Sequence, residues 1–168
     1  VSGLMNLQID VGNTFLKWRV VDEGRVVARG RHATVNKESL SDFIFWDQLT
    51  TVALASVASV EVDARLLSKL SCCRPDIKPF IASTQSFFNG VSCAYESPGF
   101  MGVDRWLALV AGYLRYRESC CVVDCGSAIT VDVVSAEGRH EGGYILPGIT
   151  LMKQSLTVGT KRVQFEDL

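Results

Sequence analysis

The opening of the chain alternates apolar and polar positions in short runs separated by turn residues. A first run over 4–9 leads into Asp10-Val11-Gly12-Asn13, a turn signal. A second over 15–21 sets Phe15 and Trp18 beside Lys17 and Arg19, and a third over 25–30 follows the turn Asp22-Glu23-Gly24. This pattern predicts a β-meander. Apolar residues at 40, 43, 44 and 46 have helical spacing and predict a helix over 37–49. A buried strand over 51–57 follows, then a helix over 60–70 with Val62, Leu66, Leu67 and Leu70 on one side, then a strand over 77–82. Residues 83–101, rich in Ser, Gly, Asn and Pro, read as a loop, and a loop of that length is more often functional than accidental. The strongest helical stripe lies over 102–118, carried by Val103, Trp106, Leu107, Val110, Tyr113 and Leu114. Strands over 120–124, 128–135 and 139–145 follow, with turns at Gly126 and Glu137-Gly138, and Pro147-Gly148 opens a last helical stretch.

The second strand-turn-strand unit repeats the first. Asp10, Gly12, Val20, Glu23, Gly24 and Arg25 recur as Asp124, Gly126, Val134, Glu137, Gly138 and Arg139. Each copy is a hydrophobic strand ending in Asp-x-Gly and followed by a hairpin. Glycine at such a turn lets backbone N–H groups approach a phosphate, and a strand-end Asp can hold the cation that neutralises it. Duplicated halves of this kind suit a nucleoside triphosphate; the plainer reading is two ordinary hairpins whose Asp and Gly only make turns.

Composition narrows the class. The 168 residues are 48% hydrophobic and 21% charged, with a net charge of -1, which describes a globular protein large enough to bury a core. Near-neutral charge argues against nucleic acid as the main partner. No apolar run approaches the roughly 20 residues that span a bilayer, and no signal peptide is recognisable, so a cytoplasmic location is expected. Residues 1–4 read as a short leader ahead of Met5. Cysteines at 72, 73, 93, 120, 121 and 125 form no Cys-x-x-Cys and are expected to be reduced and buried. With His32 and His140 far apart, no structural metal is expected.

Four motifs then carry a family resemblance. Asp10-Val11-Gly12-Asn13-Thr14-Phe15-Leu16-Lys17-Trp18 resembles the first phosphate motif of type III pantothenate kinases. Pro98-Gly99-Phe100-Met101-Gly102-Val103-Asp104-Arg105 resembles their pantothenate motif, and Tyr95 matches a tyrosine lining the pantothenate pocket. Asp124-Cys125-Gly126-Ser127-Ala128-Ile129-Thr130-Val131-Asp132 resembles the second phosphate motif, with Ser127 where the family usually has Thr. Gly142-Gly143-Tyr144-Ile145-Leu146-Pro147-Gly148 is similar to the family's Gly-Gly-x-Ile-x-Pro-Gly. The motifs run in family order from residue 10 to residue 148.

The resemblance implies an α/β fold of the actin/hexokinase class (ASKHA, ribonuclease H-like), with duplicated domains of mixed sheets flanked by helices. Residues 1–117 would be the first domain and 118–168 the start of the second, incomplete relative to the family. Either the chain is a fragment or the truncation is natural. The missing part would carry a threonine that contacts pantothenate and the glycine-rich turn that holds adenosine.

The implied activity is ATP-dependent phosphorylation of the primary hydroxyl of pantothenate, the first step of coenzyme A biosynthesis. Asp104 would be the catalytic base. Tyr95, Gly102, Val103 and Arg105 would bind pantothenate, with Arg105 pairing to its carboxylate. Asp10, Val11, Gly12, Asn13, Thr14, Phe15, Leu16, Lys17, Gly126 and Ser127 would bind ATP. Asp10 would organise Mg²⁺ through water, and Asp124 would bind potassium or ammonium. A homodimer is implied, although the apolar face around Trp106 and Tyr113 suits an internal core equally well. Two rivals remain: a non-catalytic nucleotide-binding accessory protein on the same scaffold, and another actin-class kinase or phosphatase.

Overall fold

The computed structural model describes residues 4–35, 40 and 43–160. Residues 1–3 of the leader expected over 1–4, and part of the expected helix over 37–49, lie outside them. The chain divides into two compact units, Val1–Ser83 and Thr84–Leu168.

In the first unit the predicted meander forms from Met5–Val11 (β1), Phe15–Asp22 (β2) and Arg25–Ala33 (β3). Leu7, Ile9 and Val11 alternate into the core, which fixes the register of β1, because a one-residue slip would turn all three outward. Glu23 and Gly24 both have positive φ, the turn geometry that matches strand twist. Leu49–Ser56 (β4) pairs parallel to β1, and Phe80–Ile81 (β5) parallel to β4, giving the order β3-β2-β1-β4-β5. The β4–β5 crossover contains Val60–Cys73 (α1), which buries Leu66 and Leu70.

Two expectations are corrected here. The described end of the 37–49 segment is a 3₁₀ turn at Trp46–Gln48, after which Leu49 opens β4. Its apolar residues build an aromatic cluster rather than a helical stripe: Phe43 meets Trp18 edge-on at 5.1 Å and Trp46 at 4.7 Å. The strand expected over 77–82 shrinks to Phe80–Ile81, whose two side chains remain exposed.

The second unit opens with a short hairpin, Phe87–Phe88 (β6) and Val91–Ser92 (β7), inside the segment expected to be loop. Asn89 and Gly90 take positive φ at its turn. Val103–Tyr116 (α2) follows, then an antiparallel sheet of Cys120–Cys125 (β8), Ala128–Val134 (β9) and His140–Pro147 (β10) in the order β10-β9-β8, then Ile149–Gly159 (α3). Trp106, Leu109, Val110 and Tyr113 form the buried stripe of α2 and share a core with Val91, Met101 and Val134. The face around Trp106 and Tyr113 is therefore internal core.

The repeated motif has a structural counterpart in each unit. Gly12 N–H donates to the Phe15 carbonyl at 3.0 Å, and Gly126 N–H donates to the Ala128 carbonyl at 2.9 Å. The second turn is one residue tighter. What recurs among the described residues is the meander alone; β4, α1 and β5 have no equivalent in the second unit, so the chain is mixed α/β without two clearly matching domains. The cysteine expectation also needs correction: all six are free, but Cys72, Cys73, Cys121 and Cys125 are exposed.

Candidate active site

The turn after β1 is braced by Thr34, whose hydroxyl donates to the Gly12 carbonyl at 2.8 Å and whose N–H donates to the Thr14 carbonyl at 2.9 Å. With those carbonyls engaged, Asn13 and Thr14 stand exposed at the tip. Val11 and Leu16 point into the core, so only their backbone could face a ligand. Phe15 is half-exposed beneath the Arg31 guanidinium. Asp10 lies 3.9 Å from Lys17 Nζ, both partly exposed, a contact of small energetic weight.

In the second unit, Gly148 N–H donates to the Ser127 carbonyl at 3.0 Å and packs so closely that a Cβ there would overlap the Gly126 and Ser127 carbonyls. The Pro147-Gly148 step thus closes over the Gly126-Ser127 turn. Asp124 is exposed. A carboxylate in water needs no compensating partner, so burial gives no argument for a cation there.

The segment containing Tyr95, Asp104 and Arg105 is more strongly organised. Met101 is buried, its carbonyl accepting from the Thr84 hydroxyl at 2.8 Å, and Gly102 caps α2. Val103 is core. Asp104 is half-buried in the first helical turn, where its carboxylate accepts the Arg105 N–H at 2.8 Å and the helix dipole favours negative charge.

Arg105 is neither solvated nor paired within its helix, the alternatives its position suggests. Only 6% exposed, it reaches across to β9 and grips Asp132: Nε donates to Oδ2 at 2.9 Å and Nη2 to Oδ1 at 2.6 Å. Its Nη1 donates to the Tyr95 hydroxyl at 3.2 Å. The hydrogen-bonded Asp132 carboxylate raises the already high pKa of Arg105, against the opposing effect of burial. His140 completes the cluster, its Nε2 lying 3.1 Å from Asp132 Oδ1 and its ring stacking on Tyr95. Because the Ala94 N–H can only donate, His140 Nδ1 must be the acceptor at 3.4 Å. His140 is therefore the neutral tautomer that donates Nε2–H to Asp132.

The local sequence permits this arrangement. A register shift between His140 and Gly142 re-aims β10, and Gly142 takes φ 111° at the irregularity. Gly143 lies opposite Asp132, where a Cβ would overlap the Asp132 carboxylate. Sequence reasoning singled out neither Asp132 nor His140 as a site residue. The available signal was an acidic residue between Val131 and Val133 in a strand, which alternation with buried Val134 turns inward.

The model of the type III pantothenate kinase family matches residues 6–167. The chain belongs to this family. It is 41% identical over 166 residues to a type III pantothenate kinase from Chromohalobacter salexigens, covering 96% of this chain and 58% of that protein. It is 43% identical over 165 residues to one from Hahella chejuensis, covering 94% and 64%. The chain thus spans about three-fifths of the length of these type III pantothenate kinases. A Baf family transcriptional activator from Campylobacter jejuni superimposes with a TM-score of 0.60 at 21% identity, over 95% of this chain and 63% of that one. That likeness speaks to fold alone, a mixed α/β architecture.

For a family of kinases the cation chemistry matters. Among the described residues no group of three or more His, Cys, Asp and Glu side chains could enclose a metal. Asp10 and Asp124 each offer one partly or fully accessible carboxylate. Single oxygen donors fit a hard cation whose remaining ligands are waters and phosphate oxygens. No helix among the described residues is long and apolar enough to cross a membrane.

Proposed function

We propose that this protein transfers the γ-phosphoryl group of ATP to the primary hydroxyl of pantothenate. The observation that carries the reading is the family match over residues 6–167, together with an ordered substrate motif in which Arg105, next to Asp104 in sequence, holds the Tyr95 hydroxyl.

Asp104 takes the hydroxyl proton. The freed oxygen attacks the γ-phosphorus in line, a new P–O bond forms, and the bond to the bridging oxygen breaks to release ADP. Phosphoryl transfer asks a protein for positioning and charge more than covalent chemistry, and a half-buried carboxylate at a helix start is suited to that task. Gly102 and Val103 contribute backbone, since Val103's side chain is core. Residues 10–17, with Gly126 and Ser127, hold the phosphates through turn N–H groups and the Thr14 and Ser127 hydroxyls. Asp10 would hold Mg²⁺ and Asp124 would hold potassium or ammonium, and these ions would supply charge neutralisation. By family resemblance the protein is cytoplasmic and homodimeric, with duplicated domains of which 1–117 is the first and 118–168 begins the second. Formation of phosphopantothenate by this chain, and its loss on Asp104→Asn, tests the proposal.

A further inference from the structure

The Asp132 cluster lies beside the residues proposed to bind pantothenate. Arg105 carries one positive charge, Asp132 one negative charge, and His140 none in the tautomer that its contacts require. The cluster is neutral, and both members of the ion pair are nearly sealed from water, at 5% and 3% side-chain exposure. Two of the three guanidinium nitrogens are committed to Asp132. The side-on fork of Nε and Nη2 is therefore filled by Asp132. From Nη1 it also delivers an N–H into the Tyr95 oxygen. A phenol oxygen that accepts this bond keeps its own O–H to donate elsewhere. The Tyr95 ring is held as well, stacked on His140 at 6.2 Å with an interplanar angle of 17°.

We propose that Asp132 and His140 are positioning residues for substrate recognition, locking Arg105 so that Tyr95 is presented as the hydrogen-bond donor to the substrate carboxylate. This rests on pantothenate being the substrate. In this arrangement His140 fixes Asp132, Asp132 fixes Arg105, and Arg105 orients the Tyr95 hydroxyl, which is the group presented to the ligand carboxylate. The polarity of the chain is set at its far end, where the Ala94 N–H dictates the His140 tautomer. Buried groups satisfied in this way hold one geometry, because each alternative leaves a polar atom unpaired.

A purely structural pair anchoring α2 to β9 would give a different result on mutation. The test is calorimetric titration of pantothenate into this chain, wild type and variants, as a double-mutant cycle. Tyr95→Phe removes only the donor and leaves the ion pair intact; Asp132→Asn keeps the shape and removes the charge. Each is expected to weaken pantothenate binding about tenfold, as loss of a hydrogen bond to a charged group does. The double variant is expected to lose about tenfold in total rather than about a hundredfold, since both act through one hydroxyl. Additive losses, or undiminished binding by folded Asp132→Asn, would overturn the proposal. If Asp132→Asn does not fold, His140→Gln changes no charge and carries the same cycle with the same coupled and additive outcomes. Absence of binding by the wild type would instead overturn the pantothenate reading and this inference with it, a result distinct from wild-type binding that Asp132→Asn leaves unaltered.

Discussion

Replacing Asp132 with Ala should be among the most destabilising single changes available in the second unit. The substitution leaves the Arg105 guanidinium buried, with Nε and Nη2 unpaired, and removes the acceptor of His140 Nε2–H. Breaking a buried pair from one side costs about 3–5 kcal/mol, most of it the penalty of an uncompensated charge. For a unit of this size about 4 °C of Tm accompanies each kcal/mol, so the melting transition should fall by about 12 °C or more. Thermal unfolding at neutral pH, followed by circular dichroism, measures it. Combining Asp132→Ala with Arg105→Met removes the orphaned charge and should recover more than half of the lost stability, although two polar residues are then gone. A single variant melting within about 2 °C of the wild type would refute the view that this pair is sealed from water.

Two further outcomes follow from the geometry. Gly143→Ala should destabilise by about 1–3 kcal/mol in chemical denaturation, since its Cβ would overlap the Asp132 carboxylate and the Val131 carbonyl. In the first unit, Arg74 holds Asp76 by two bonds and also donates to the Trp46 and Leu49 carbonyls. The Arg74 hydrogen bonds depress the Asp76 pKa, so the pair's contribution is complete above the unfolded carboxylate pKa and is lost as pH falls through the lower folded value. Asp76→Ala should therefore narrow the stability difference between neutral pH and about pH 3, while Arg74→Ala should lower stability at both because it also orphans two carbonyls.

Much of the fold was legible because local signals agreed with tertiary demands. Alternation in 4–9 and 15–21, with Glu23-Gly24 before the third run, specifies a meander before any packing is known. The stripe of Val103, Trp106, Leu107, Val110, Tyr113 and Leu114 does the same for α2, although Leu107 is exposed and Leu109 is the buried residue on that side. The failures have physical causes. The apolar spacing at 40, 43, 44 and 46 mimics a helix, but Phe43 and Trp46 are drawn into an aromatic cluster on Trp18, a contact invisible to local periodicity. The hairpin over 87–92 was hidden by its polar surroundings although Asn89-Gly90 is a strong turn signal. At the site, the motif residues were readable one by one, yet their pairing was not. Nothing in the spacing of Arg105, Asp132 and His140 says that they meet; a helix start, a strand and an irregularity at Gly142 bring them together.

The central claim is that this member of the type III pantothenate kinase family phosphorylates pantothenate with Asp104 as base. The most direct measurement is ATP-dependent phosphopantothenate formation by this chain, with Mg²⁺ and potassium present, beside Asp104→Asn. The account predicts product from the wild type and a loss of at least about a hundredfold in the variant, the scale of general-base catalysis. Equal rates from the two proteins, or no product from folded wild type, would contradict it.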